Sequence, residues 1–272
     1  MKQYPHCVEQ LFYKPLAITQ ARHAALWKVL ESRMRGDMPG MPMDDEPDED
    51  DFDGELDMRG GTAVIPVHGV ITAHASDIPA SSCGCGLDIM QQQAKAARAD
   101  GLVERIAFHF RTPGGSVTAL PEAARLIAGI REKPTIAYTD DECCSAGVWL
   151  ATQCEQFYTM PSASVGSVGV WCAYINLSRQ LANEGVSIES FQGGKFKLLG
   201  AYWKTLTDEE RKMLQADVDK IYAQFKDAVN LHRQVSDEYM DGRIFDGAEA
   251  CEIGLCDGMY ESLDDLIDAI EG

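Results

Sequence analysis

From Gln91 onward, strand-length apolar runs and helix-length amphipathic runs take turns along the chain, and three of the junctions carry glycine turns. This alternation constrains the fold most, because helices that follow strands one by one return the chain to a mostly parallel sheet through βαβ crossovers. Leu87 to Ala99 predicts a helix, Arg105 to Phe110 a strand, and Ala119 to Arg131 a helix with Ala123, Leu126, Ile127 and Ile130 on one face. Thr135 to Tyr138 predicts a strand and Ser145 to Ala151 a helix. Further strands are expected at Gln156 to Met160, Val168 to Ile175 and Val186 to Phe191. A long helix follows, with Thr207-Asp208-Glu209-Glu210 as its capping box and Leu214, Val218, Ile221, Phe225 and Val229 as its buried stripe. Leu263 to Ile270 predicts a short terminal helix. Upstream, Thr62 to Val67 predicts a strand closed by His68-Gly69, with Pro66 pointing to an edge or a strand end.

The chain divides into an attachment, residues 1–58, and a body, residues 59–272. In the attachment Ile18, Ala21, Ala25, Leu26, Val29 and Leu30 recur at helical spacing, so Ile18 to Arg35 predicts a helix that packs against something. Ten carboxylates fall between Asp44 and Asp57, with no Lys or Arg between Arg35 and Arg59, which predicts an open, solvated linker. The formal charge of −19, from 43 acidic and 24 basic residues, argues against a nucleic acid or an anionic membrane as partner. Apolar runs such as Ala63 to Val67 and Val168 to Tyr174 fall well short of the roughly 20 residues of a membrane-spanning helix. Met1 to Pro15 lacks the basic head and apolar run of a secretory signal, so a cytoplasmic location is expected. The nine cysteines form no pair of CxxC knuckles for zinc and read mostly as small buried hydrophobes; Cys83 and Cys85, in a Ser/Gly-rich loop, are the pair to watch for redox or metal chemistry.

The glycine turns are where chemistry would sit. Thr112-Pro113-Gly114-Gly115-Ser116 follows a strand, and two successive glycines let main-chain N–H groups turn outward toward a peptide or a developing oxyanion; an ordinary βα turn has the same composition. Cys144-Ser145-Ala146-Gly147 opens an apolar helix, where Ser145 serves either as an N-cap or as a nucleophile with room for substrate over Ala146 and Gly147. A serine needs a base, and none of the six histidines falls in a glycine-marked loop after Ser145, so a Ser-His-Asp arrangement is not favoured. Gln192 to Gly200 offers two lysines. Lys197, between Phe196 and Leu198, suits partial desolvation better than Lys195, although on the bare pattern two surface lysines in a loop are the better reading.

Six segments together resemble peptidase family S49, the SppA-type signal peptide peptidases and their tailed-phage relatives that process capsid components. These are Val64-Ile65-Pro66-Val67-His68-Gly69-Val70-Ile71, Pro113-Gly114-Gly115-Ser116, Ser145-Ala146-Gly147, Val165-Gly166-Ser167-Val168-Gly169-Val170, Gly194-Lys195-Phe196-Lys197, and Gly242-Arg243-Ile244-Phe245 with Ala248 to Leu255. They occur in family order over roughly three quarters of the chain. The resemblance implies a Clp/crotonase-like α/β spiral of βαβ units with a helical N-terminal extension. It puts the nucleophile on Ser145 and the catalytic lysine, 52 residues later, on Lys197. It puts the oxyanion donors on the N–H groups of Gly115 and Ala146, with Gly114 and Gly147 beside them, and requires no metal or organic cofactor. It implies a homo-oligomer, since in some relatives the lysine reaches the serine of a neighbouring subunit. The soluble start fits the phage type better than membrane-anchored signal peptidases, with a scaffold or capsid polypeptide as substrate in the host cytoplasm or prohead. A stand-alone cytoplasmic SppA-like hydrolase is the alternative, and a crotonase-like acyl-CoA enzyme and an inactive assembly protein are rivals of other classes. The acidic linker is an expected site of self-cleavage.

Overall fold

A computed structural model of the chain describes residues 14–35, 55–77 and 84–272. The expected acidic linker and Cys83 lie largely or wholly outside these residues. The large sheet is built from β2 (Asp57–Arg59), β3 (Thr62–His68), β6 (Arg105–Thr112), β8 (Thr135–Cys144), β9 (Gln156–Thr159), β10 (Ser164–Gly166), β11 (Ile244–Asp246) and β12 (Gly258–Met259). Its order is β11-β10-β8-β6-β3-β2, with β9 and β12 branching from β8. The ladders β3/β6, β6/β8, β8/β10 and β8/β9 are parallel, as the alternation predicts. A small sheet of order β1-β7-β4-β5 lies beside it, from β1 (Leu16–Ile18), β4 (Val70–Thr72), β5 (Gly84–Gly86) and β7 (Gly114–Ser116).

The chain spirals by repetition. A strand of the large sheet leads into the small sheet and then into a helix: β3, β4 and β5 into α2 (Leu87–Ala99), then β6 and β7 into α3 (Leu120–Ala128). The third turn takes β8 directly into α4 (Ala146–Ala151). This is the α/β spiral of βαβ units that the resemblance implies. The sheet is buried on both faces, which explains why β6 reads as a continuous apolar run: Ile106, Ala107, Phe108 and Phe110 are all buried. Leu120, Ala123, Ala124 and Ile127 are the buried residues of α3. Trp149 of α4 stacks on Phe225 of the long helix α6 (Asp208–Asn230), with ring centroids 4.8 Å apart. Pro66 is tolerated inside β3 because β2 pairs only with Thr62 to Val64, leaving the missing N–H beyond its reach.

Three expectations need correction. Val168 to Ile175 and Val186 to Phe191 do not form strands; beyond an isolated bridge from Trp171 to Leu16, no ladder pairs them among the described residues. Their alternating apolar pattern is real, but a strand needs a neighbour for its N–H and C=O groups, and Val186, Ile188 and Phe191 remain exposed. The helix expected from Ile18 begins two residues later, as α1 (Gln20–Arg35), because Ile18 is drawn into β1. The α6 capping box is present, but only Phe225 and Val229 of its apolar stripe are buried, while Leu214, Val218 and Ile221 are half-buried. Two short elements complete the fold: α5 (Ser178–Asn183), and α7 (Gly247–Glu252), capped by Asp246. The terminal helix α8 (Leu263–Glu271) is capped by Ser262.

A polar cluster crosses the middle of the large sheet. Arg111 donates to both carboxylate oxygens of Asp140, at 2.7 and 2.6 Å, and His109 Nε2 lies 3.1 Å from one of them. Desolvation, with help from the His109 and Arg111 charges, lowers the pKa of His68 to about 4 against a weaker pull from Asp140. Burial also lowers His109, while the Arg111 hydrogen bond holds Asp140 at about 2. A neutral His68 in the fold means that the unfolded chain binds the proton first. Its contribution is intact above about pH 6.5 and is lost as the pH falls toward about 4. We expect acidification over that window to cost roughly 2 kcal/mol, after discounting for partial exposure. Denaturant titrations of wild type and His68→Gln check this; parallel pH dependences in the two proteins would discard the assignment.

Candidate active site

Ser145 stands between the end of β8 and the start of α4, and the ladder next to it is irregular. Phe110 pairs with Thr139, but Thr112 pairs with Cys143, so β8 bulges just ahead of the serine. Ser145 itself takes φ 55° and ψ −114°, a conformation rarely adopted by residues other than glycine. Its N–H donates to Gly166 O at 2.8 Å, its hydroxyl reaches Gly169 O at 3.4 Å, and it is only 1 % exposed. The Val165 to Gly169 segment therefore wraps beneath the serine and fixes its backbone. Arg243 O holds that segment in turn, by accepting from Ser167 N–H at 2.6 Å.

Of the two roles open to Ser145, the capping one is not taken up: its side chain makes no cap hydrogen bond to α4. Ala146 and Gly147 open that helix, where the first N–H groups have no intrahelical acceptor. Gly147 leaves room for Thr112, since a Cβ there would lie 2.5 Å from Thr112 Cγ2. Thr112 fixes the glycine turn by donating its hydroxyl to Gly69 O at 2.6 Å and accepting from Gly114 N–H at 3.1 Å. Gly114 has φ 95°, and a Cβ on it would sit 2.9 Å from Ser145 Cβ and 3.0 Å from Ala146 N. Ser145, Gly114, Gly115, Ala146 and Gly147 thus converge on one buried spot.

Lys197 is not brought to that spot. It lies exposed on the turn from Gly194 to Gly200, and no hydrogen bond joins it to Ser145. It lines a cavity of about 390 Å³ with Cys172, Tyr174, Leu199, Tyr202 and Trp203 among others. The two lysines differ in a useful way. Lys195 is engaged by Glu209 at 2.6 Å, whereas Lys197 makes no side-chain hydrogen bond or ion pair among the described residues. The cysteines around the site behave as packing: burial pushes the Cys85 and Cys144 thiols up to about 12 and raises Cys143 as well. Missed from sequence was β1, which runs beside the Gly114-Gly115 turn. Its only signal was a three-residue apolar stretch that merges with the helix pattern behind it.

The sequence profile of peptidase family S49 matches residues 129–271. The capsid assembly protease C of Escherichia phage lambda is 29% identical over 211 residues, covering 76% of this chain and 48% of that protein. The head-tail preconnector protein GP5 of Enterobacteria phage P21 is 27% identical over 257 residues, covering 91% of this chain and 51% of that protein. The chain thus spans about half the length of these curated relatives. Among solved structures, an enoyl-CoA hydratase/isomerase family member gives a TM-score of 0.42 at 16% identity, over 79% of this chain and 74% of that one. No helix among the described residues is long and apolar enough to cross a membrane.

Proposed function

The chain belongs to peptidase family S49, and from that premise we propose that it is a serine endopeptidase that cleaves extended polypeptide with a Ser145/Lys197 dyad. The observation that carries this reading is the buried, backbone-strained Ser145 set against the Gly114-Gly115 turn and the first N–H groups of α4. Ser145 Oγ attacks the peptide carbonyl, and the N–H groups of Gly115 and Ala146 receive the oxyanion. Lys197, as neutral amine, takes the serine proton, returns it to the leaving amine, and then activates the deacylating water. The substrate is a phage scaffold or capsid polypeptide, met in the host cytoplasm or the prohead. Its backbone adds as a strand at the small sheet.

Two features favour a lysine supplied across a subunit boundary: the solvent-exposed turn of Lys197, and the exposed apolar residues Val186, Ile188 and Phe191 just before it. A fluorophosphonate that labels Ser145 in wild type, and fails to label a chemically unfolded control, tests the nucleophile. Mixing tests the sharing. Ser145→Ala and Lys197→Ala proteins, each inactive alone, are expected to recover on the order of a quarter of wild-type turnover when reassembled together. No recovery in verified mixed oligomers would place both groups in one subunit.

A further inference from the structure

The cleft beside Ser145 is already filled by the chain itself. Strand β1 runs antiparallel to β7, with Leu16 opposite Ser116, Ala17 opposite Gly115 and Ile18 opposite Gly114. Its other edge is also paired: Leu16 N–H donates to Trp171 O at 2.8 Å, Trp171 N–H returns to Leu16 O at 3.0 Å, and the Trp171 indole donates to Ile18 O at 3.0 Å. A three-residue segment held on both edges, next to a candidate nucleophile, is how an extended peptide would be held.

The register is informative. Thr19 N–H donates to Pro113 O at 3.0 Å, and hydrogen-bonded pairs alternate along an antiparallel ladder, so Ala17 and Gly115 form the next such pair. The Ala17 carbonyl therefore occupies the N–H of Gly115, one of the two proposed oxyanion donors. A Cβ built on Gly114 would lie 2.1 Å from Ala17 O, 2.9 Å from Ser145 Cβ and 3.0 Å from Ala146 N, so these atoms crowd around a single point. Leu16 and Ile18 pack in a small cluster with Val70, Leu26 and Trp171, apart from the main core, which only Ala17 of the three joins.

We propose that β1 is a resident pseudosubstrate: Leu16-Ala17-Ile18 lies in the peptide cleft with the Ala17 carbonyl at the oxyanion position, and an incoming polypeptide must displace it. The assignment of the cleft rests on the peptidase reading above; the occupancy does not depend on turnover. A tethered occupant acts at roughly millimolar effective concentration, so an external peptide binds with an affinity reduced by the fraction of cleft that is open.

The test uses a fluorescein-labelled synthetic peptide of residues 14–22 and the full chain carrying Ser145→Ala, so that binding is read by anisotropy without catalysis. Adding Leu16→Asp with Ile18→Asp, or separately Ala17→Pro, which removes the N–H facing Gly115 and adds no charge, is expected to tighten peptide binding at least about tenfold. Circular dichroism identifies any variant that fails to fold. Equal affinity in the parent and the folded variants would overturn the proposal. With Ser145 intact, displacing β1 is expected to lower KM for an external peptide about tenfold and leave kcat unchanged. If tight binding appears in the variants and no protein hydrolyses peptide, the occupancy stands and the peptidase reading falls.

Discussion

Ser145→Ala and Lys197→Ala are each expected to reduce cleavage of an unfolded protein at about pH 8 by at least about 10³-fold, the size of loss that follows when a proposed nucleophile or its base is removed. The fold is expected to survive both changes, for different reasons. Ser145 is buried but makes only a long hydroxyl contact, 3.4 Å to Gly169 O, so alanine leaves a small void and an unmet carbonyl. Lys197 is exposed and makes no side-chain bond among the described residues, so its loss costs little stability. Intact-mass spectrometry of substrate and enzyme, with thermal melts of all three proteins, separates loss of chemistry from loss of fold. Lys195→Ala serves as the control: its amine is held by Glu209, and its removal is expected to leave turnover within about twofold of wild type. Cleavage that persists in Ser145→Ala would remove the dyad.

How far the sequence leads depends on the range of the forces involved. β3, β6 and β8 are legible because both faces of a parallel sheet are buried, so their side chains form apolar runs bounded by glycine and proline. The start of α4 is legible because the Cys144 to Gly147 turn carries small residues, and Gly147 leaves space for Thr112. Strand β1 is not, because what makes Leu16 to Ile18 a strand is a partner about a hundred residues away, at Gly114 to Ser116. Val186 to Phe191 shows the reverse case: a strand pattern with no partner within the described chain, which directs attention to a neighbouring copy. The same holds for Lys197. Spacing and resemblance connect it to Ser145, yet the folded single chain leaves the two unconnected. The bulge in β8, which sets the angle of Ser145, has no sequence signature, since Asp140-Asp141-Glu142 resembles an ordinary turn until the ladder to β6 is known.

Gly115→Ala is expected to be among the most damaging single methyl groups that can be added near the site. A Cβ at this position would lie 1.9 Å from Ile71 O, with Ile71 N and C at 2.6 and 2.7 Å, all of them backbone atoms of β4. Those atoms cannot rotate away. β4 pairs with β7 through Ile71 and Gly115, and Ile71 is fully buried, so the two strands must separate and give up ladder bonds between them. We expect a loss of about 3 kcal/mol or more, which for a chain of this size lowers Tm by roughly 6 to 12 °C. Gly147→Ala provides the contrast. Its Cβ would meet Thr112 Cγ2 at 2.5 Å, a side-chain methyl that can shift, although Thr112 is also bonded to Gly69 O and Gly114 N–H. Its cost should be nearer about 1 to 2 kcal/mol, expressed partly as lost turnover because Thr112 holds the Gly114 turn. Chemical denaturation of the two variants compares them directly. Equal stabilities would mean that parting β4 from β7 costs no more than shifting the Thr112 methyl, and the backbone contact of Gly115 would then not be what sets its cost.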